Sequence, residues 1–181
     1  MEEIIYLKGV IELNSKIEEV LNNQINREIY SAYLYLSMAA YFDATGLKGM
    51  ANWTKIQYQE EMAHAMKIFN YVNDRGGRVI LESIEKPATE WVSPIDVFEG
   101  ILKHEEYITK NINELIAVAT EEKDYATINF LQWFISEQVE EEANVNEILD
   151  QLNLIGDNKM GLVMLDKELG QRVFVDPNTT N

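Results

Sequence analysis

The chain has no cysteine, which excludes disulfides, thiolate metal sites and cysteine nucleophiles and suits a reducing cytoplasm. Proline is scarce, with three in 181 residues, and 46% of residues are hydrophobic; extended disorder is not expected away from the ends. Basic side chains are outnumbered, 15 against 31 acidic, giving a formal net charge of −16. Such a surface repels nucleic acid and anionic membrane and attracts cations, although acidity also serves plain solubility. Glu2 and Glu3 stand where a secretion signal carries positive charge. The apolar stretch that follows, to Val10, is too short for a signal core or a membrane span. These absences predict a soluble cytoplasmic protein, and the length suffices for one domain with a real core.

What the sequence does contain is helical periodicity. Residues 1–13 read as a short apolar arm, with Ile4, Ile5, Tyr6, Leu7, Val10, Ile11 and Leu13 available to pack on a neighbour. Ser15-Lys16-Ile17-Glu18 fits a capping box and opens a first helix to about Asp43, closed by Thr45-Gly46. A second helix runs from about Leu47 to Arg75 and stops at Gly76-Gly77. Two long helices joined so tightly are antiparallel neighbours. Residues 77–93 lose the period and contain Pro87. A connection this long can cross the whole bundle and let the third helix run parallel to the second. A disordered linker is the alternative, but Ile80, Leu81, Ile84 and Trp91 favour a packed strap. Ser93-Pro94 then starts a third helix reaching about Glu121. Asp124 caps a fourth to about Ile155, and Asp157 opens a short fifth ending at Gly170. The expected organisation is an arm (1–13), one all-α domain (14–170) and a polar tail (171–181), without internal repeats.

Each of the four long helices has a polar intruder on its apolar stripe. The first reads Leu21, Ile25, Glu28, Ala32, Tyr35 or Leu36, Ala39. The second carries Glu61 and His64 among Met50, Trp53, Ile68 and Tyr71 or Val72. The third has Glu105 between Ile101 or Leu102 and Ile108, and the fourth has Gln138 and Glu141 between Phe134 or Ile135 and Val145. Glu61 and His64 are i and i+3, so they share a helix face. Glu28 and Glu61 lie about 14 residues from their expected helix starts, Glu105 about 11, and Gln138 and Glu141 about 14 to 17, which at about 1.5 Å per residue is one level of an antiparallel bundle. A single buried acid is a satisfied core carboxylate; acids on four helices at one depth repel and call for cations. Oxygen ligands with an imidazole suit a pair of iron or manganese ions, and Glu61 is best placed to bridge them.

These features occur within longer matching stretches: Asn26-Arg27-Glu28-Ile29-Tyr30-Ser31, Gln59-Glu60-Glu61-Met62-Ala63-His64, His104-Glu105, Asn129-Phe130-Leu131-Gln132-Trp133 and Ser136-Glu137-Gln138-Val139-Glu140-Glu141-Glu142. Over roughly residues 14–170 the chain resembles a prokaryotic non-haem ferritin. The resemblance implies a ferritin-like four-helix bundle with one long crossover and a short fifth helix. It also implies a hollow homo-oligomeric cage of twenty-four subunits, in which Fe²⁺ is oxidised by O2 or H2O2 and stored as ferric mineral. It implies that Glu28, Glu61 and His64 bind a first iron, and that Glu61 bridges to a second held by Glu105 and Glu141, with Gln138 beside them. A third iron site would draw on Glu60, Glu137 and Glu140, with Glu141 shared; otherwise those acids are an ordinary solvated face. Tyr35 matches a tyrosine able to supply an electron, and Trp133 reads as a core aromatic. His104 is expected at the surface.

The sequence departs from the general diiron pattern in one place. The second Glu-x-x-His motif is replaced by Gln138-x-x-Glu141, which implies a weaker second iron and points away from bacterioferritin. Met62 occupies the position of the bacterioferritin haem-ligating methionine, but non-haem ferritins often carry methionine there too, so haem is not expected. A rubrerythrin-like enzyme would need cysteines that are missing, and a plain helical interaction protein would not need the aligned acids.

Overall fold

The computed structural model describes residues 13–176. Its five helices are α1 (Ser15–Thr45), α2 (Lys48–Asp74), α3 (Pro94–Glu121), α4 (Tyr125–Ile155) and α5 (Lys159–Leu169). No strand occurs among the described residues, and none of their helices is long and apolar enough to cross a membrane. The expected arm, except Leu13, and residues 177–181 of the expected tail lie outside the described residues.

Side-chain partners fix the directions. Arg27 meets Tyr107, Ser31 meets His104 and Phe42 meets Phe98, so α3 runs antiparallel to α1. Tyr71 meets Thr127 and Gln57 meets Glu141, so α4 runs antiparallel to α2. The third helix is therefore parallel to the second, as a crossover requires. The backbones are not evenly spaced: α1 packs closely on α2 and α3 on α4, whereas α2 and α4 keep their Cα atoms more than 8 Å apart and meet only through side chains. Two apolar clusters fill the bundle. One is built around Tyr35, Phe42, Met50, Trp53 and Phe98, the other around Leu21, Ile25, Ile68, Ile112 and Phe134. Between them lies a polar layer.

Local chemistry differs from the sequence reading at three points. The cap of α1 is Asn14, whose side chain accepts from the Lys16 amide at 2.9 Å; Glu18 leaves the expected capping box and accepts from the Arg78 amide at 3.0 Å. Asn158, not Asp157, caps α5. The crossover is held to α1 through its backbone as well as through a few apolar side chains, Val79, Pro87 and Trp91. Asn22 bonds both the Arg78 carbonyl (3.0 Å) and the Ile80 amide (2.9 Å), Asn26 donates to the Ser83 carbonyl, and Ser37 donates to the Ala88 carbonyl. Ile80, Leu81 and Ile84, expected to pack, are 44–64% exposed, while Pro87 is buried and Trp91 meets the Tyr41 ring. An amide ladder satisfies the strap's polar backbone, so its apolar side chains are free to face outward.

Helix α5 closes one end of the bundle. The N-cap of α2, Leu47, offers no side-chain acceptor. Asp166 of α5 supplies one, accepting from the Met50 amide at 2.9 Å near the positive end of the helix. This close approach depends on Gly49: a Cβ there would lie 1.4 Å from the Asp166 carbonyl oxygen. Since backbone has to move, Gly49→Ala is expected to undock α5 and cost at least about 1–3 kcal/mol, read as a lower melting temperature and faster hydrogen exchange across residues 159–169.

Candidate metal centre

The polar layer contains Glu28, Glu61, His64, Glu105, Gln138 and Glu141, none more than 4% exposed. All sit on the inward stripe of a helix long enough to carry them to the middle of the bundle, between the two apolar clusters. Ligand atoms of Glu28, Glu61 and His64 lie within 4.8 Å of one another. Glu28 Oε2 and His64 Nε2 are buried without a hydrogen-bond partner among the described residues. His64 Nδ1 is 3.8 Å from Glu61 Oε2, and Nε2 is 3.8 Å from Glu137 Oε1, both too long for a hydrogen bond. Trp133 and Phe134 set the imidazole by edge contacts, with ring centroids 5.3 and 6.1 Å away.

Oxygens of Glu28, Glu141 and Glu105 are gripped by neutral groups. Gln24 Nε2 donates to Glu28 Oε1 at 2.8 Å, and Gln57 Nε2 donates to Glu141 Oε2 at 2.8 Å. Both glutamines are fully buried. Glu105 accepts from Gln138 Nε2 at 3.0 Å on one oxygen and from the Tyr35 hydroxyl on the other. Each amide oxygen is in turn held by an arginine: Arg27 donates to Gln24 Oε1 at 3.3 Å, and Arg172 donates to Gln57 Oε1. These outer partners leave the acids one free direction, into the shared space between the helices.

The electrostatics express the same crowding. Burial, reinforced by Glu105 and Glu28 but opposed by His64, holds the Glu61 carboxyl well above the usual range. Burial also raises Glu105, against the hydrogen bonds from Tyr35 and Gln138. Glu141 is pushed up to about 8 by burial and then by Glu105 and Glu60. Burial and Glu105 raise Tyr35 strongly. For His64 burial works against the charge, yet the facing carboxylates of Glu137, Glu61 and Glu28 outweigh it and hold the imidazole high. Carboxyls shifted toward their protonated forms and an imidazole shifted toward its charged form are what crowding of buried acids around one histidine produces. A divalent ion held among them would favour the ionised carboxylates and the neutral imidazole.

The other sequence candidates fall outside this inner group. Glu137 is half-buried on its border, Glu140 is exposed, and Glu60 is paired with Arg172 Nη2 at 2.6 Å. Tyr35 is fully buried and part of the layer. His104 corrects the expectation of a surface residue. It is half-buried, 2.7 Å from Ser31 Oγ, with Tyr30 and Tyr107 around it, and burial lowers it to about 4, so it is neutral. Sequence reasoning missed Gln24, Gln57, Arg27 and Arg172. The two glutamines carried a usable signal: each sits one helical turn before an inward acid, Glu28 or Glu61, on the same stripe. Arg172 carried none, lying 115 residues from Gln57.

Comparison with known proteins agrees with this geometry. A family model described as "Ferritin-like domain" matches residues 18–155. A probable bacterial non-heme ferritin-like protein of Haemophilus influenzae is 44% identical over 158 residues, covering 87% of this chain and 96% of that protein. A bacterial non-heme ferritin of Bacteroides fragilis is 41% identical over 160 residues, covering 88% and 99%. Among solved structures, an open pore ferritin from the archaeon Archaeoglobus fulgidus is 56% identical, with a TM-score of 0.89, over 90% of this chain and all of that one. A closed form of that ferritin, engineered by mutagenesis, gives 55% and 0.90, over 91% of this chain. With the family model spanning most of the bundle and near relatives matched almost end to end, the chain belongs to the ferritin family, on its non-haem side.

Proposed function

We propose that the buried layer is a two-iron oxidation centre, in which Glu28, Glu61 and His64 receive one Fe²⁺ and Glu61, Glu105 and Glu141 a second. The protein is an iron-storing ferroxidase, as its family is; the assignment of residues to each iron is the further step. The observation that carries it is the pair of orphaned buried atoms, Glu28 Oε2 and His64 Nε2, grouped with Glu61 within 4.8 Å. Polar atoms left unpaired in a core are costly, and a divalent cation satisfies both at once. The donor set of carboxylates and one imidazole suits iron.

The reaction follows from charge. Two ferrous ions each give up one electron, and together they reduce O2 to H2O2, or H2O2 to water, with uptake of two protons. Anionic oxygen ligands gain more from Fe³⁺ than from Fe²⁺, so the carboxylates favour the oxidised product. Tyr35, hydrogen-bonded to Glu105, is placed to supply a further electron. Gln138, where other diiron proteins carry histidine, binds through Glu105 and leaves the second iron more weakly held. Glu60, Glu137 and Glu140, with Glu141 shared, are the candidates for a third, outer iron position, and ferric product moves to the interior. In the cage, twenty-four subunits enclose the mineral. Exposed apolar residues on α1 and the crossover, Tyr33, Leu36, Ile80, Leu81 and Ile84, give neighbouring subunits a surface to cover. The cytoplasm, with its reducing poise, keeps the ferrous substrate available.

Three outcomes are expected. Mixed with ferrous salt in air, the protein should develop ferric absorbance rapidly, and Glu61→Ala should fall to the rate of buffer alone. Size-exclusion chromatography should show an assembly of about half a megadalton, as twenty-four copies of a 20.9 kDa chain require, rather than a monomer. Because Glu141 titrates at about 8, it still holds a proton at pH 7 that the incoming ion must expel. Calorimetry of Zn²⁺ binding in buffers of different ionisation enthalpy should therefore show proton release at pH 7, shrinking as the pH rises beyond 8.

A further inference from the structure

Arg172 lies just beyond α5, in the stretch the sequence suggests is tail. Its side chain is nonetheless only 22% exposed. The guanidinium lies against one face of α2. Nη2 donates to Glu60 Oε2 at 2.6 Å, Nη1 donates to Gln57 Oε1, and the group stands over the Trp53 ring, 4.8 Å from its centroid. Its backbone carbonyl accepts from Asn52 Nδ2 at 2.9 Å. Gln57 passes the arrangement inward, donating Nε2 to Glu141. An arginine has donors only, so it dictates which end of the Gln57 amide faces it. With the oxygen committed to Arg172, the amide must present N–H to Glu141.

We propose that Arg172 is a positioning residue of the metal centre and the resident counter-cation of Glu60: through Gln57 it orients Glu141, and it occupies the Glu60 carboxylate until an incoming metal ion displaces it. The assignment rests on the two-iron reading given above and extends it. An ion at the outer position and the guanidinium compete for the charge of the Glu60 carboxylate. Filling that position therefore frees Arg172, withdraws the clamp on Gln57 and loosens the Asn52-anchored segment after α5. The outer site thereby reports its occupancy to Glu141 and to the C-terminal segment.

The test uses the assembled, metal-free protein and Zn²⁺, which binds without redox chemistry. Calorimetry counts ions per protomer, and hydrogen exchange follows the peptide covering residues 170–176, where the Gln171 and Arg172 amides bond the Glu168 and Leu169 carbonyls. In the unaltered protein the first two ions should leave that peptide's exchange unchanged, and the third should accelerate it. Arg172→Gln should bind the third ion about tenfold more tightly, in the range by which outer-shell groups tune metal affinity, and should exchange fast even without metal. Arg172→Lys, which retains the charge, should restore the weaker third ion and the metal-dependent exchange; a merely structural anchor predicts neither. The unaltered protein alone decides if a variant fails to assemble. Fewer than two ions per protomer overturns the two-iron reading itself. Two ions without a third, or a third that leaves the exchange unchanged, overturns the role of Arg172 alone.

Discussion

The structure depends on repulsion held at close quarters. Four carboxylates from four helices share one buried layer with a single imidazole, and among the described residues no lysine or arginine enters that inner group. A core of this kind is unfavourable on its own terms, since buried charge without a partner loses its hydration and gains nothing. The protein limits the cost in two ways: burial shifts Glu61, Glu105 and Glu141 toward their protonated forms, and buried amides and a tyrosine hydroxyl cap oxygens of Glu28, Glu105 and Glu141. The two apolar clusters above and below supply the burial that keeps the layer closed. The helix spacing fits this division: α2 and α4 stand apart at the backbone and touch through side chains.

A second pattern emerges around the layer. Glu28 and Glu141 are each held by a buried glutamine, and each glutamine is held by an arginine. The relay Arg27–Gln24–Glu28 lies wholly within α1, whereas Arg172–Gln57–Glu141 spans the segment after α5, α2 and α4. The chemistry is the same on both sides, but the connectivity is not. The first relay is as rigid as a single helix. The second is only as secure as the docking of a C-terminal segment, which makes the Glu141 side the adjustable half of the centre.

Much of this was legible in the sequence because the signal was a violation of a pattern. Glu28, Glu61, Glu105 and Glu141 interrupt apolar stripes, and an interruption is visible without knowing what surrounds it. Helix limits were equally plain where glycine, proline and Ser93 punctuate them. What the residues hid was anything decided by partners distant in sequence. Asn14 and Asn158 outcompeted Ser15 and Asp157 as caps because Glu18 was recruited by the crossover and because Asn158 reaches two amides. His104 was read from its own helix alone, and its surroundings come from Ser31 and Tyr30 across the α1–α3 contact. The apolar crossover residues suggested packing, but local hydrophobicity does not say whether the surface covering them belongs to the same chain.

That crossover has one more property. Every hydrogen bond tying it to α1 joins an α1 side chain to a strap peptide group; the strap's own side chains take no part in those bonds. Its course is thus written in Glu18, Asn22, Asn26 and Ser37, while Val79, the buried Pro87 and Trp91 are held by their own packing. The outward side chains of Ile80, Leu81 and Ile84 can therefore change without removing a single bond that ties the strap to α1.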